Sequence, residues 1–87
     1  MEILFSARFQ KERNSLPKQV NVALTKVLKF FVSDPRHPSL QAKKLPGTDK
    51  WYARIDRAYR FTYQINDEVI ILRRVGTHEI LTRERNM

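Results

Sequence analysis

Apolar positions recur at two different periods in this chain, and the change of period divides it into two parts. Ile3-Leu4-Phe5 is a short apolar run that reads as a first strand. Ser6 can cap a helix, with Phe9 and Leu16 on one stripe and Arg8, Lys11, Glu12 and Arg13 outside it. Ser15-Leu16-Pro17 ends that helix and opens another, since proline is tolerated in a first turn. In the second helix Val20, Ala23, Leu24, Val27, Leu28 and Phe31 recur at steps of three and four, which makes one apolar face. Asp34-Pro35 stops it, because proline disfavours helical geometry in the residue before it. Arg36 to Lys50 reads as a connector.

From Trp51 the period is two. Trp51, Ala53 and Ile55 alternate with Tyr52, Arg54 and Asp56; Tyr59, Phe61, Tyr63 and Ile65 alternate with Arg60, Thr62 and Gln64. Asn66-Asp67 signals a hairpin turn, and Glu68 to Val75 is a nearly continuous apolar strand of the kind covered on both sides. Arg83 to Met87 reads as a frayed tail. The expected fold is α+β in the order β-α-α-β-β-β: an αα-hairpin packed on a mainly antiparallel sheet, with residues 1–87 as one domain.

Composition narrows the partner. Seventeen Lys+Arg against nine Asp+Glu give a net charge of +8, a field that favours polyanions. The same field fits an acidic protein partner or a merely solubilising surface. With no cysteine there is no disulfide or thiolate metal site, and a reducing compartment is expected. No apolar run approaches the ~20 residues needed to cross a bilayer, and no leader is readable, so the expectation is a soluble cytoplasmic protein without a membrane partner.

Chemistry is expected on the polar side of the alternating strands. If the pleats match, Arg54 and Arg60 share one open face with Arg57 in the turn between them. Arginines held there can grip a phosphate bidentately, and Tyr52 can stack a base; the alternative is that Arg54 simply pairs with Asp56 on the surface. The two histidines are His37, ahead of a proline in the connector, and His78, which follows Gly76 at the end of a buried strand. Histidine is the side chain best poised to move protons near neutral pH, although a lone loop histidine is more often inert. Ligand spacing for a metal, a phosphate-cradling glycine loop and a serine nucleophile elbow are all missing from the pattern, so neither a cofactor nor a small-molecule ligand is expected.

Together the segments resemble the RelE/ParE superfamily of toxin–antitoxin toxins. Two amino-terminal helices precede Leu45-Pro46-Gly47 and Trp51-Tyr52-Ala53-Arg54-Ile55, and Tyr59-Arg60-Phe61-Thr62-Tyr63-Gln64-Ile65 looks like the family's YR-apolar-x-Y strand. Val75-Gly76-Thr77-His78-Glu79 resembles the strand-end G-x-H signature of its ribonuclease branches, particularly the YafQ-like ones. The resemblance implies a microbial-RNase-like domain, the RelE fold, that enters the ribosomal A site, cuts mRNA without a metal, and is neutralised by a cognate antitoxin.

Carried over by position, the resemblance makes Arg60 the contact to the scissile phosphate, Arg54 a basic neighbour and His78 the general acid or base. His37, in His37-Pro38-Ser39-Leu40, is loosely similar to another active-site histidine of the YafQ-like group. Tyr52, Arg57, Lys43, Lys44 and Arg74 are the expected RNA contacts. The chain departs from the family pattern after His78, where Glu79, Ile80, Leu81 and Thr82 stand in place of a stacking aromatic. It also departs at Ala53, near one of the paired lysines of RelE. Two alternatives follow: a ParE-like inhibitor of DNA gyrase, which would not need His78, or a catalytically weak nucleic-acid-binding relative.

Overall fold

In a computed structural model that describes residues 2–85, the chain runs through strand β1 (Glu2–Phe5), helices α1 (Ala7–Asn14) and α2 (Lys18–Ser33), strands β2 (Lys43–Lys44), β3 (Lys50–Arg54), β4 (Tyr59–Asn66) and β5 (Val69–Thr77), and helix α3 (Glu79–Arg85). A single 3₁₀ turn, Pro38–Leu40, precedes β2. The five strands form one sheet in the order β1-β5-β4-β3-β2; β1 lies parallel to β5 and the other pairs are antiparallel.

The expected αα-hairpin forms as read. The Ser6 hydroxyl accepts the Phe9 amide at 3.0 Å, which caps α1, and Asp34 closes α2. The α2 stripe buries Val20, Leu24, Leu28 and Phe31 against the sheet. Phe31 meets Phe61 and Tyr63 edge-on at centroid separations of 5.4 and 4.8 Å, geometry that aromatic quadrupoles favour. Phe9, Leu40, Ala53, Ile55, Ile70, Leu72 and Val75 complete this core. Burial pushes the Tyr63 hydroxyl up to about 12.

Two features depart from the sequence reading. The connector contains β2, a two-residue edge strand whose Lys43 pairs with Tyr52 and Lys44 with Trp51. Residues 83–85 of the expected frayed tail belong to α3, while Asn86 and Met87 lie outside the described residues. Helix α3 lies on the face of the sheet opposite α1 and α2. Ile80 and Leu81 pack with Leu45 and Tyr52, and the Glu84 carboxylate is fully buried.

Glu84 takes both Nε and Nη2 of Arg73 (3.0 and 3.2 Å) and the Thr62 hydroxyl (2.9 Å), and lies 3.4 Å from Lys50 Nζ. Burial pushes this carboxyl up. The hydrogen bonds from Arg73 and Thr62 and the charges of Arg73 and Lys50 outweigh it, so the group sits below the ordinary carboxylate value.

Strand β5 carries a bulge. Tyr63 pairs with Leu72 and Thr62 with Arg74, so Arg73 is an extra residue opposite Thr62. The two consecutive arginines then serve different helices. Arg73 holds Glu84 of α3, and Arg74 holds Glu12 of α1 at 2.6 and 3.2 Å. The Glu12 carboxylate also accepts the Val75 amide, which satisfies the edge of β5 beyond the reach of β1. Ser6 joins the same region by donating its hydroxyl to the Arg73 carbonyl at 2.8 Å.

Candidate active site at the end of the sheet

The β3–β4 turn is built on Asp56. Its carboxylate accepts the amides of Ala58 and Tyr59, both at 2.9 Å, the Asx turn that aspartate forms readily. This leaves the Asp56 carbonyl facing the outer side of the sheet. Arg54 and Arg60 are direct cross-strand partners on that side, a relation that sets β-carbons about 5 Å apart. Both guanidiniums turn to the Asp56 carbonyl, Arg54 Nε at 3.3 Å and Arg60 Nη1 at 2.5 Å. Arg54 Nη1 also reaches Gln41 Oε1 at 3.3 Å, and Arg60 Nη1 the Tyr59 carbonyl at 2.9 Å. Asp56 thus meets Arg54 through its backbone oxygen rather than through the surface carboxylate pair considered from sequence.

His78 comes to the same end of the sheet from β5. Gly76 pairs with Arg60 and Thr77 with Tyr59, and the His78 amide donates to the Ala58 carbonyl at 3.2 Å. Residue 78 is exposed and stands immediately before α3. Arg57, in the turn, is exposed beside them. The result is three arginines and a histidine on and around one turn whose single carboxylate is occupied by backbone amides.

The other expected contacts are placed differently. Lys43 is exposed and shares the outer face through its pairing with Tyr52, whereas Lys44 pairs with Trp51 on the helix side. Tyr52 is half-buried in the small apolar cluster beneath α3. Arg74 is 6% exposed and committed to Glu12, so it does not join the open face. His37 lies near the opposite end, on the α2 side. Its ring sits 4.9 Å from Phe30, and its Nδ1 accepts the Ser39 amide at 3.1 Å. It lines a groove with Trp51, Tyr63 and Ile65 and does not approach the arginines.

Sequence reasoning took Asp56 only as a surface carboxylate pair for Arg54 and missed Gln41; the Asp56 carbonyl and the Gln41 amide oxygen orient the arginines. An aspartate two residues before alanine between two alternating runs was the available signal for the first. No group of three or more His, Cys, Asp or Glu side chains gathers in metal-binding geometry among the described residues.

No protein-family model matches this chain. No curated protein matches it. Solved structures do. YafQ from E. coli superposes with a TM-score of 0.76 at 17% identity, covering 92% of this chain and 96% of that one. A chain of the RelB-RelE antitoxin-toxin complex from Methanococcus jannaschii gives 0.76 at 20% identity, covering 93% and 96%. These two share the fold. A chain of the intact E. coli RelBE toxin-antitoxin complex gives a TM-score of 0.69 at 30% identity, covering 87% of this chain and 94% of that one. With that identity sustained over nearly the whole of a neighbour of the same α+β fold, the chain belongs to the RelE/ParE superfamily of toxins of toxin–antitoxin systems.

Proposed function

We propose that this protein is the toxin of a type II pair and an endoribonuclease that stops translation by cutting mRNA on the ribosome in the cytoplasm. The observation that carries this reading is the convergence of Arg54 and Arg60 on one carbonyl oxygen beside the turn that meets His78. A phosphate oxygen is a stronger acceptor for a guanidinium than a carbonyl, because it carries charge and a phosphate can be gripped through two parallel N–H bonds. A phosphodiester laid against the outer face would therefore draw both guanidiniums.

In the proposed reaction the ribose 2′-oxygen attacks the adjacent phosphorus and the bond to the 5′-oxygen breaks, leaving a 2′,3′-cyclic phosphate and a free 5′-hydroxyl. His78 takes the proton of the 2′-hydroxyl or gives one to the leaving 5′-oxygen, water carries the other transfer, and Arg54 and Arg60 offset the charge that grows on the phosphoryl oxygens. The partner that silences the toxin is a cognate antitoxin; the relatives' structures from E. coli and M. jannaschii are complexes of that kind.

The test is cleavage of mRNA by purified protein with intact ribosomes in magnesium-containing buffer. Wild type should cut. His78→Ala should lose about 10²–10⁴-fold, the contribution of a placed acid–base group. Arg60→Ala should lose about 10²–10³-fold, as when one preorganised donor is removed. Full activity in both variants would remove the mechanism.

A further inference from the structure

A cleft of about 460 Å³ opens between α1 and the ends of β4 and β5. One wall is α1 and its C-cap, where Arg8, Lys11 and Ser15 line it; the other carries Tyr59, Gly76 and Thr77. Its one acidic residue, Glu12, is already matched by the Arg74 guanidinium and the Val75 amide. Arg8 and Lys11 are exposed, and neither enters any of the three ion pairs among the described residues. The cleft therefore holds two cations that nothing nearby compensates, next to a half-buried aromatic ring.

Its position matters as much as its charge. Gly76 is the cross-strand partner of Arg60, Thr77 that of Tyr59, and His78 follows directly. The rim of the cleft is thus the same strand end that frames Arg54, Arg60 and His78, reached from the helix side rather than the outer face. A polyanion held at the arginines can continue past the end of β5, by the exposed Glu79 that follows His78, to the uncompensated cations of Arg8 and Lys11.

We propose that the α1–β5 cleft is the path of the single-stranded RNA flanking the scissile link, with Arg8 and Lys11 on its phosphates and Tyr59 beneath a base. This rests on the nuclease reading above and extends it from one phosphodiester to a binding track. Backbone contacts of this kind are independent of sequence and strongly dependent on salt, and aromatic rings stack bases of any identity.

The test uses a fully 2′-O-methylated single-stranded RNA, which lacks the attacking hydroxyl, and follows its binding to the full chain by fluorescence anisotropy over a range of salt. Each phosphate contact on a single strand contributes about 0.7 to the slope of log affinity against log salt. Arg8→Ala/Lys11→Ala should therefore flatten the slope by about 1.4. A control pair, Lys18→Ala/Lys26→Ala, removes the same charge from exposed positions on α2 and should change the slope far less.

An unchanged slope in the first pair overturns the track. An equal change in both pairs also overturns it, because the effect would then belong to the overall field. Ribosomal cleavage by wild type and His78→Ala is read separately. A protein that cuts through His78 while the Arg8/Lys11 pair binds normally has lost the track and kept the nuclease.

Discussion

Replacing Glu84 with alanine tests whether α3 is a fixed part of the fold or a loose appendage. The carboxylate has no solvent exposure and is shared by Arg73, Thr62 and Lys50, whose side chains have no other carboxylate among the described residues. Removing one partner of a buried ion pair typically costs about 3–5 kcal/mol, because the remaining charge is left uncompensated. Here the Arg73 side chain is 26% exposed and can regain some water, which favours the lower end. Thr62, at 0% exposure, cannot, and its hydroxyl alone accounts for about 1–3 kcal/mol of that cost.

A loss of about 3 kcal/mol is a large share of the ~5–15 kcal/mol that holds a native domain together. For a chain of this size it lowers the melting temperature by roughly 12 °C or more. Far-UV circular dichroism through a thermal ramp reads this directly. Glu79→Ala, on the exposed side of the same helix, is the control and should stay within about 0.5 kcal/mol. If Glu84→Ala melts within a few degrees of the parent, the buried network is not a structural hub and the reasoning fails.

Three further outcomes are expected. Because the Glu84 pKa is depressed on folding, its stabilisation is complete above the unfolded carboxylate pKa of about 4.3 and is lost as pH falls below it; the urea midpoint should drop from pH 6 to pH 3.5 more in wild type than in Glu84→Gln. Tyr63 behaves oppositely: its pKa is raised to about 12, so its contribution is complete below about pH 10 and is lost as pH climbs towards 12, and absorbance at 295 nm should show one tyrosine ionising near 12 or only on unfolding. At Gly76 an added β-carbon would stand 3.0 Å from Ile80 Cγ2, so Gly76→Ala should cost about 1–3 kcal/mol as an overpacking change, seen as a lower urea midpoint.

What could be read in the residues follows from how local the cause is. The α2 stripe and the Tyr59–Ile65 alternation are signals within a few neighbours, and both elements form where they were placed. Helix α3 was not visible, because Glu79-Ile80-Leu81-Thr82-Arg83-Glu84-Arg85 offers only two apolar residues. What stabilises it is a carboxylate buried against two cations and a hydroxyl brought from other strands.

Arg74 shows the same limit in the candidate site. Its strand position suggested an open phosphate contact, but Glu12, 62 residues away in sequence, occupies it. Arg54 and Arg60 were legible as a pair because antiparallel alternation fixes both their face and their register. The Asp56 carbonyl that draws them together depends on turn geometry that alternation does not encode.

The extra residue at Arg73 has a consequence for everything downstream of it. Up to Leu72 the even-numbered positions of β5 face the core; after the bulge the odd ones do, so Val75 is inside and Gly76 stands across from Arg60 on the outer side. The parity of the strand is thus reset just before it delivers the imidazole. Were that residue to take an ordinary paired place in the ladder instead, every later position would move one step along, sending Val75 outward, turning Gly76 inward and bringing the polypeptide into α3 from the wrong surface. A single unpaired backbone unit therefore decides which side of the sheet His78 leaves from, and deleting Arg73 itself should keep Val75 inside, its cost being the lost hold on Glu84 rather than a reversed strand.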